Sequence, residues 1–377
     1  MLFHVGALWR LQELGFLNCT ASAPRAADLG PLARVSSVSG GSITAAMLAL
    51  KWDACRTSDP DPSVRRAVFE QNVVAPIRAF SQVSIAGFDA SGVLGLLGAI
   101  VLPGSVNDYV IRAYRKHLYG DATLQDLPDE PRFVINASNL QSGAVWRFMK
   151  PYIRDWRVGE IRNTRLVPLA QAVAASSAFP PPLSPAILKF DASAYTPGSG
   201  GEGADNLQRP PYTTRVVLSD GGVYDNLGLE TAFKHYKTLL VSNAGKPFQF
   251  EEAPGIDWAS QSARVIGVMD NQVRSLRVRQ LIEAFKAGPS GSPDARTGGY
   301  WGIDSNIANF PCPNPLPCPF AKTLALAAIG TDLARKEPDV QERLINWGYA
   351  ICDAMMRSHV DTALAVPAGF PYARGVG

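Results

Sequence analysis

The sequence predicts an α/β fold in which helices cover a mainly parallel, buried central sheet. Short apolar runs alternate along the chain with longer helical stretches, which is the order found in α/β layer folds. The runs are mostly apolar, as expected for parallel strands that are covered on both faces. With 377 residues, of which 46% are hydrophobic, the chain can bury a large core.

The predicted elements follow one another along the chain. Apolar runs predict strands at residues 33–38, 133–136, 145–148, 216–218, 239–242 and 265–268. Apolar residues at helical spacing predict helices at residues 1–17, 43–50, 169–177, 229–236, 273–286, 323–333 and 340–358. Glycine- and proline-rich stretches predict loops at residues 195–211 and 288–320. We therefore expect one domain over residues 1–270 and a helical, proline-rich extension over residues 271–377 that packs on it.

Composition narrows the class of protein. The formal net charge is only +3, which is a much weaker basic bias than nucleic-acid binders carry, so no nucleic-acid partner is expected. Five cysteines in no regular framework are typical of reduced thiols. Cys312 and Cys318 lack a second pair or nearby histidines, so we expect no metal site there. The sequence implies no organic cofactor. Without a recognisable signal peptide, we expect a cytoplasmic protein that contacts the membrane only peripherally, if at all.

A candidate nucleophile, Ser39, lies between the first predicted strand and the second predicted helix. A strand–Ser–helix elbow exposes the serine hydroxyl at a tight turn, and Gly40 and Gly41 leave the space that such a turn needs. The Gly40 amide, next after the serine, could bind an oxyanion. Ser37 replaces the first glycine of the usual Gly-x-Ser-x-Gly pattern, although it is also small. Taken alone, the segment is equally well an ordinary turn.

A candidate base, Asp220, directly follows the strand predicted at residues 216–218. Ligands of α/β sheets usually bind at the carboxyl ends of strands, where this carboxylate would lie. Asp220-Gly221-Gly222 is nevertheless a common turn sequence, and that interpretation is the simpler one for the segment in isolation.

The histidines decide between two catalytic arrangements. A Ser-His-Asp triad of the α/β-hydrolase order needs a histidine after the aspartate, and only His235 and His359 qualify. Both fall in predicted helices, where packing or a helix surface explains them. A serine–aspartate dyad needs no histidine, because the carboxylate itself acts as the general base. The residues by themselves leave both arrangements open.

Four sequence blocks in a fixed order resemble a known family. They are residues 3–9, 35–42, 174–180 and 220–226, and the last of them is the most specific. Together they are similar to the bacterial patatin-like phospholipases, and the similarity covers most of residues 1–250. The resemblance implies a three-layer fold with a mainly parallel sheet and a catalytic domain over residues 1–270. It also implies a lipid acyl hydrolase with Ser39 as nucleophile, Asp220 as base and a lipid or ester substrate.

The sequence departs from the family pattern at its start. The family places a strand and a glycine-rich oxyanion loop before the opening helix, whereas this sequence begins inside that helix. We expect an N-terminally truncated sequence in which the first strand is missing. The alternative is a short, non-catalytic relative that binds lipid or protein, because losing one oxyanion donor costs roughly 2.7–4 kcal/mol of transition-state stabilisation.

Two further segments are candidates for contact with lipid. The apolar run at residues 93–102 is far shorter than the ~20 residues of a membrane span, and we interpret it as buried core or as a lid. Four cations give the helix at 273–286 a basic character that could meet anionic headgroups or simply face water: Arg274, Arg277, Arg279 and Lys286.

Overall fold

The computed structural model describes residues 1–17, 31–56, 59, 61–83, 105–180, 183–288, 292–330 and 333–377. Its strands are β1 (Arg34–Val38), β2 (Arg132–Asn139), β3 (Ala144–Phe148), β4 (Ile153–Asp155), β5 (Gly159–Ile161), β6 (Ala186–Lys189), β7 (Arg215–Asp220), β8 (Thr238–Asn243) and β9 (Thr297–Gly302). Its α-helices are α1 (Leu2–Glu13), α2 (Gly40–Leu50), α3 (Trp52–Cys55), α4 (Pro62–Phe69), α5 (Ala75–Ser81), α6 (Ser105–Tyr114), α7 (Leu169–Ser176), α8 (Gly222–Asp225), α9 (Trp258–Ala287), α10 (Phe320–Ala327) and α11 (Pro338–Met355). Within these residues, no helix is long and apolar enough to cross a membrane.

The central sheet is mixed and largely antiparallel. Its strands are ordered β5-β4-β3-β2-β7-β6, with β1 also paired to β2. Only the β1–β2 pair is parallel, so the prediction of a mainly parallel central sheet is wrong. Strands β2 to β5 follow one another through short turns, which can join antiparallel strands, whereas a parallel pair needs a crossover of about a dozen residues or more. Strands β2 and β3 are buried at almost every position, on both faces of the sheet, so they lack the alternation of buried and exposed residues that a half-exposed antiparallel sheet shows.

Strands β1 and β7 run towards each other along the same edge of β2. Strand β1 is parallel to β2 and ends with Val38 opposite Asn136. Strand β7 is antiparallel to β2 and ends with Asp220 opposite Ala137. The carboxyl ends of both strands therefore meet at two adjacent positions of β2, which brings Ser39 and Asp220 to the same point of the fold.

The first and last long helices pack directly on each other. A Cβ atom on Gly6 would lie 1.9 Å from the carbonyl oxygen of Ile345, and one on Gly348 would lie 1.8 Å from that of Phe3. Helices α1 and α11 belong to one apolar cluster with the strands of the central sheet. The C-terminal helix thus contributes to the same core as the site elements. The division into domains at residue 270 stays a prediction.

A second, smaller sheet lies beside the central one. Strands β8 and β9 pair in parallel and are connected through α9. The strand predicted at residues 265–268 is wrong, because these residues lie inside α9; a short apolar run does not by itself distinguish strand from helix. Strand β9 falls in the segment predicted to be irregular, since its glycines hide the strand pattern. The apolar run at residues 93–102 lies outside the described residues.

Candidate functional site

Ser39 occupies a sharp turn between β1 and α2. Its backbone angles are φ 52° and ψ −128°, a conformation that costs a non-glycine residue roughly 1–3 kcal/mol. Such a strained strand-to-helix turn is the geometry of a nucleophile elbow. A side chain at Gly40 would crowd Met1, whose nitrogen would lie 3.1 Å from the added Cβ. Glycine after the serine avoids this close contact, in line with the small residues that the sequence predicts for the turn.

Asp220 ends β7 with its side chain buried. Its residue is 2% exposed, and Oδ1 accepts a hydrogen bond of 2.7 Å from the backbone N–H of Gly222. Oδ2 is buried and has no hydrogen-bond partner among the described residues. The backbone of Gly221 packs closely enough on β2 that a Cβ would lie 2.3 Å from the carbonyl oxygen of Asn136. One carboxylate oxygen is thus anchored while the other is available for a proton.

The surroundings of Asp220 raise its pKa towards neutral pH. Burial raises the pKa of Asp220 to about 6, while interactions with the Ser39 hydroxyl and the Gly222 N–H lower it by smaller amounts. The negative charge of Asp270 raises this pKa slightly further. Ser39 is therefore near enough to the carboxylate to affect its pKa, although Oδ2 lacks a hydrogen bond of normal length and angle. A general base works best with a pKa close to the working pH.

The end of α7 joins the two halves of the site. The carbonyl oxygen of Ser176 accepts hydrogen bonds from Ser39 N (3.2 Å) and from Gly221 N (3.1 Å). Ser176 Oγ accepts a second bond from Ser39 N at 3.1 Å. The Asp220 N–H donates to the carbonyl oxygen of Ala178 at 2.9 Å. One short segment therefore sets the spacing between the two candidate catalytic residues.

Three buried serine hydroxyl groups form a network next to the turn at Ser39. Ser42 Oγ lies 2.8 Å from Ser176 Oγ and donates to Ser37 Oγ at 3.1 Å. Ser176 Oγ in turn donates to the carbonyl oxygen of Asn136 at 2.6 Å. The serine at position 37, which departs from the usual glycine, thus belongs to a hydrogen-bonded network. Sequence reasoning missed this network. Its one indication in the sequence is Ser42, a polar residue near the start of the largely apolar helix α2.

The N-terminus of α2 supplies groups that can bind negative charge. Gly40 and Gly41 begin this helix, and the first N–H groups of a helix lack acceptors within it. His4 lies alongside: its Nε2 is 3.7 Å from where a Cβ on Gly41 would be, and its Nδ1 is 2.9 Å from Ser242 Oγ. Burial lowers the pKa of His4 to about 3, so its ring is neutral near pH 7. The sequence does not reveal this position, because Ser242 is distant along the chain.

The two histidines of the predicted triad lie elsewhere. His235 is exposed in a run of turns at residues 230–235, where the sequence predicts a helix, and its ring contacts Tyr236. His359 is exposed near the end of the chain and contacts Phe310 edge-on. Neither is among the residues that line the cavity around Ser39. The structure does not bring either histidine to the candidate site.

A large apolar cavity opens onto both candidate catalytic residues. Its volume is 1910 Å³, and Ser39, Gly40, Gly41 and Asp220 line it. Most of its wall is apolar, including Leu2, Leu11, Leu32, Phe179, Ile266 and Met269. In the part of the chain that the structure describes, no group of three or more histidine, cysteine or acidic residues could hold a metal ion. The cavity thus presents a serine and a carboxylate at the end of an apolar chamber.

Comparison with known proteins identifies the family. A family model described as patatin-like phospholipase matches residues 1–233, which is more than half of the chain and includes Ser39 and Asp220. The family resemblance inferred from the four sequence blocks is thereby confirmed. No curated protein matches the chain significantly. The matched segment ends before β8 and α9, although residues of both line the cavity.

Proposed function

We propose that this chain, which belongs to the patatin-like phospholipase family, hydrolyses carboxylic ester bonds of lipids with Ser39 as nucleophile and Asp220 as general base. Membership of the family supports lipid acyl hydrolase activity in general. The observation that carries the assignment of residues is the head-on meeting of β1 and β7. It sets a strained serine beside a buried carboxylate that has one unpaired oxygen.

The reaction follows from these groups in two steps. Asp220 accepts the Ser39 proton while Ser39 Oγ attacks the ester carbonyl carbon, and the N–H groups that begin α2 stabilise the oxyanion. The alcohol leaves with the proton from Asp220, and an acyl-serine ester remains. Asp220 then deprotonates a water molecule, which attacks the acyl-serine and releases the carboxylic acid. Ser39 regains a proton from Asp220, so the enzyme returns to its starting state.

The cavity supports a lipid as the substrate. Ligand cavities usually measure about 300–1,000 Å³, so 1910 Å³ leaves room for a long acyl chain. Apolar walls would hold that chain with its carbonyl carbon at Ser39. Water is the acceptor in this scheme. An alcohol in its place would make the chain a transacylase, and analysis of the products distinguishes the two.

Hydrolysis of a phospholipid and of a short p-nitrophenyl ester by the full chain tests the proposal. We expect Ser39→Ala to abolish both activities. Ser184→Ala is the matched control, because Ser184 lines the same cavity but its hydroxyl donates to Ser219 Oγ instead of facing the carboxylate. Full activity of Ser39→Ala would overturn the assignment of the nucleophile. Loss of activity in His235→Ala or His359→Ala would favour the triad instead.

A further inference from the structure

Helix α9 exposes an unusually large apolar surface. A surface helix normally buries its apolar stripe, and large exposed apolar patches mark sites of interaction. On α9, seven large apolar side chains are between 39% and 83% exposed: Trp258, Val265, Ile266, Val268, Met269, Val273 and Leu276. In the segment that leads into the helix, Phe250 and Ile256 are almost fully exposed. This surface calls for a partner of apolar character.

The exposed surface is continuous with the wall of the cavity. Ile266, Met269 and Val273 follow one another at helical spacing and line the cavity that contains Ser39. The adjacent stripe of the helix, which includes Val265 and Val268, lies outside the cavity lining and is about half exposed. An acyl chain could therefore pass from this outer stripe to the cavity without leaving apolar contact.

The charges on this helix do not favour an anionic partner. Arg274 pairs with Asp270, and Arg277 pairs with Glu230, so two of the cations that give the helix its basic character have acidic neighbours. Arg264 likewise pairs with Glu251. Residues 246–286 carry six basic and five acidic side chains, which leaves almost no net charge. Attraction to the surface must therefore come from apolar burial.

We propose that the outer stripe of α9 inserts into the surface of a neutral phospholipid bilayer and holds the cavity wall that α9 forms against the lipid. The inference rests on the proposed function, since a lipid substrate has to leave the bilayer to reach Ser39. Trp258 and Phe250 fit the role of aromatic anchors at the boundary between headgroups and acyl chains. A second copy of the chain on this surface would instead separate α9 from the bilayer that holds the substrate.

Co-sedimentation of the full chain with phosphatidylcholine vesicles tests the inference. We expect the wild-type chain to bind, and Val265→Glu combined with Val268→Glu to lower the partition coefficient by about tenfold or more, because two apolar anchors become charged. Val366→Glu is the matched control: Val366 is as exposed as Val265, at 52%, but does not line the cavity or lie on α9. Binding should depend little on salt or on added anionic lipid.

The fluorescence of Trp258 gives a second test. Its emission should shift to the blue with vesicles, and Trp258→Phe should remove the shift.

Several results would overturn the inference. Absence of binding to phosphatidylcholine would do so, as would binding that requires anionic lipid and disappears with salt. A solution dimer that Val265→Glu converts to monomer would show that a second copy covers the surface.

Hydrolysis of the short soluble ester separates this inference from the proposed function. If vesicles bind but no ester is hydrolysed, the proposed function fails while the bilayer surface stands. If the ester is hydrolysed but vesicles do not bind, the bilayer surface fails while the proposed function stands.

Discussion

Replacing Asp220 by asparagine should stop catalysis and, above about pH 6, stabilise the protein. Burial raises the pKa of Asp220 from 3.8 to about 6, so the folded state binds this proton more tightly than the unfolded state. At roughly 1.36 kcal/mol for each pH unit, keeping the buried carboxylate ionised costs about 3 kcal/mol. The asparagine variant carries no charge and avoids this cost. Its side-chain N–H groups would occupy the place of the unpaired Oδ2, which makes about 3 kcal/mol an upper limit for the gain.

The direction of the pKa shift determines the pH range in which the effect of Asp220→Asn on stability can be measured. Because the folded-state pKa is raised, the contribution of Asp220 to stability falls as the pH rises from about 4 to about 6 and is constant above that. Urea unfolding of wild type and Asp220→Asn at about pH 4 and about pH 8 measures the difference. We expect the variant to gain free energy of unfolding, relative to wild type, only at the higher pH. An equal difference at both pH values would refute the claim that Asp220 is ionised at a cost in the folded protein.

Three further predictions concern the same elements. The kcat/KM of the wild-type chain should decrease as the pH falls below about 6, where Asp220 becomes protonated. Asp270→Asn should shift this decrease to lower pH, because the charge of Asp270 raises the pKa of Asp220. An unchanged pH profile of kcat/KM in the variant would contradict this prediction. Ser176→Ala should lower kcat roughly tenfold and leave KM nearly unchanged, because it removes the hydrogen bonds that join Ser176 Oγ to Ser39 N and to the carbonyl oxygen of Asn136 and so position the elbow. Gly348→Ala should lower the free energy of unfolding by about 1–3 kcal/mol or more in urea, whereas Gly369→Ala, with nothing within 4 Å of its added Cβ, should leave it unchanged.

The sequence predicted the features of the site that depend on local chemistry. A serine between an apolar strand and a helix, followed by two glycines, marks a candidate nucleophile, although the segment alone is equally well an ordinary turn. Asp220, directly after a predicted strand, marks a candidate base in the same limited way, and the structure adds that Gly221 has no room for a side chain against β2. The order of the four blocks was enough to predict the family. The roles of Ser39 and Asp220 in catalysis stay predictions.

The tertiary structure decided what depends on residues far apart in the chain. Strands β1 and β7 meet because both pair with β2 through their backbones. Strand β2 follows β1 by about 100 residues and precedes β7 by about 80. Pairing between such distant segments leaves no periodic pattern in the sequence. The direction of the sheet was mispredicted because the strands are buried on both faces, and short apolar runs within buried strands do not distinguish antiparallel from parallel pairing. The raised pKa of Asp220 comes from its burial in the folded chain, which its neighbours in sequence do not specify. Local sequence thus determined which groups could react, and long-range packing determined where they lie and how acidic they are.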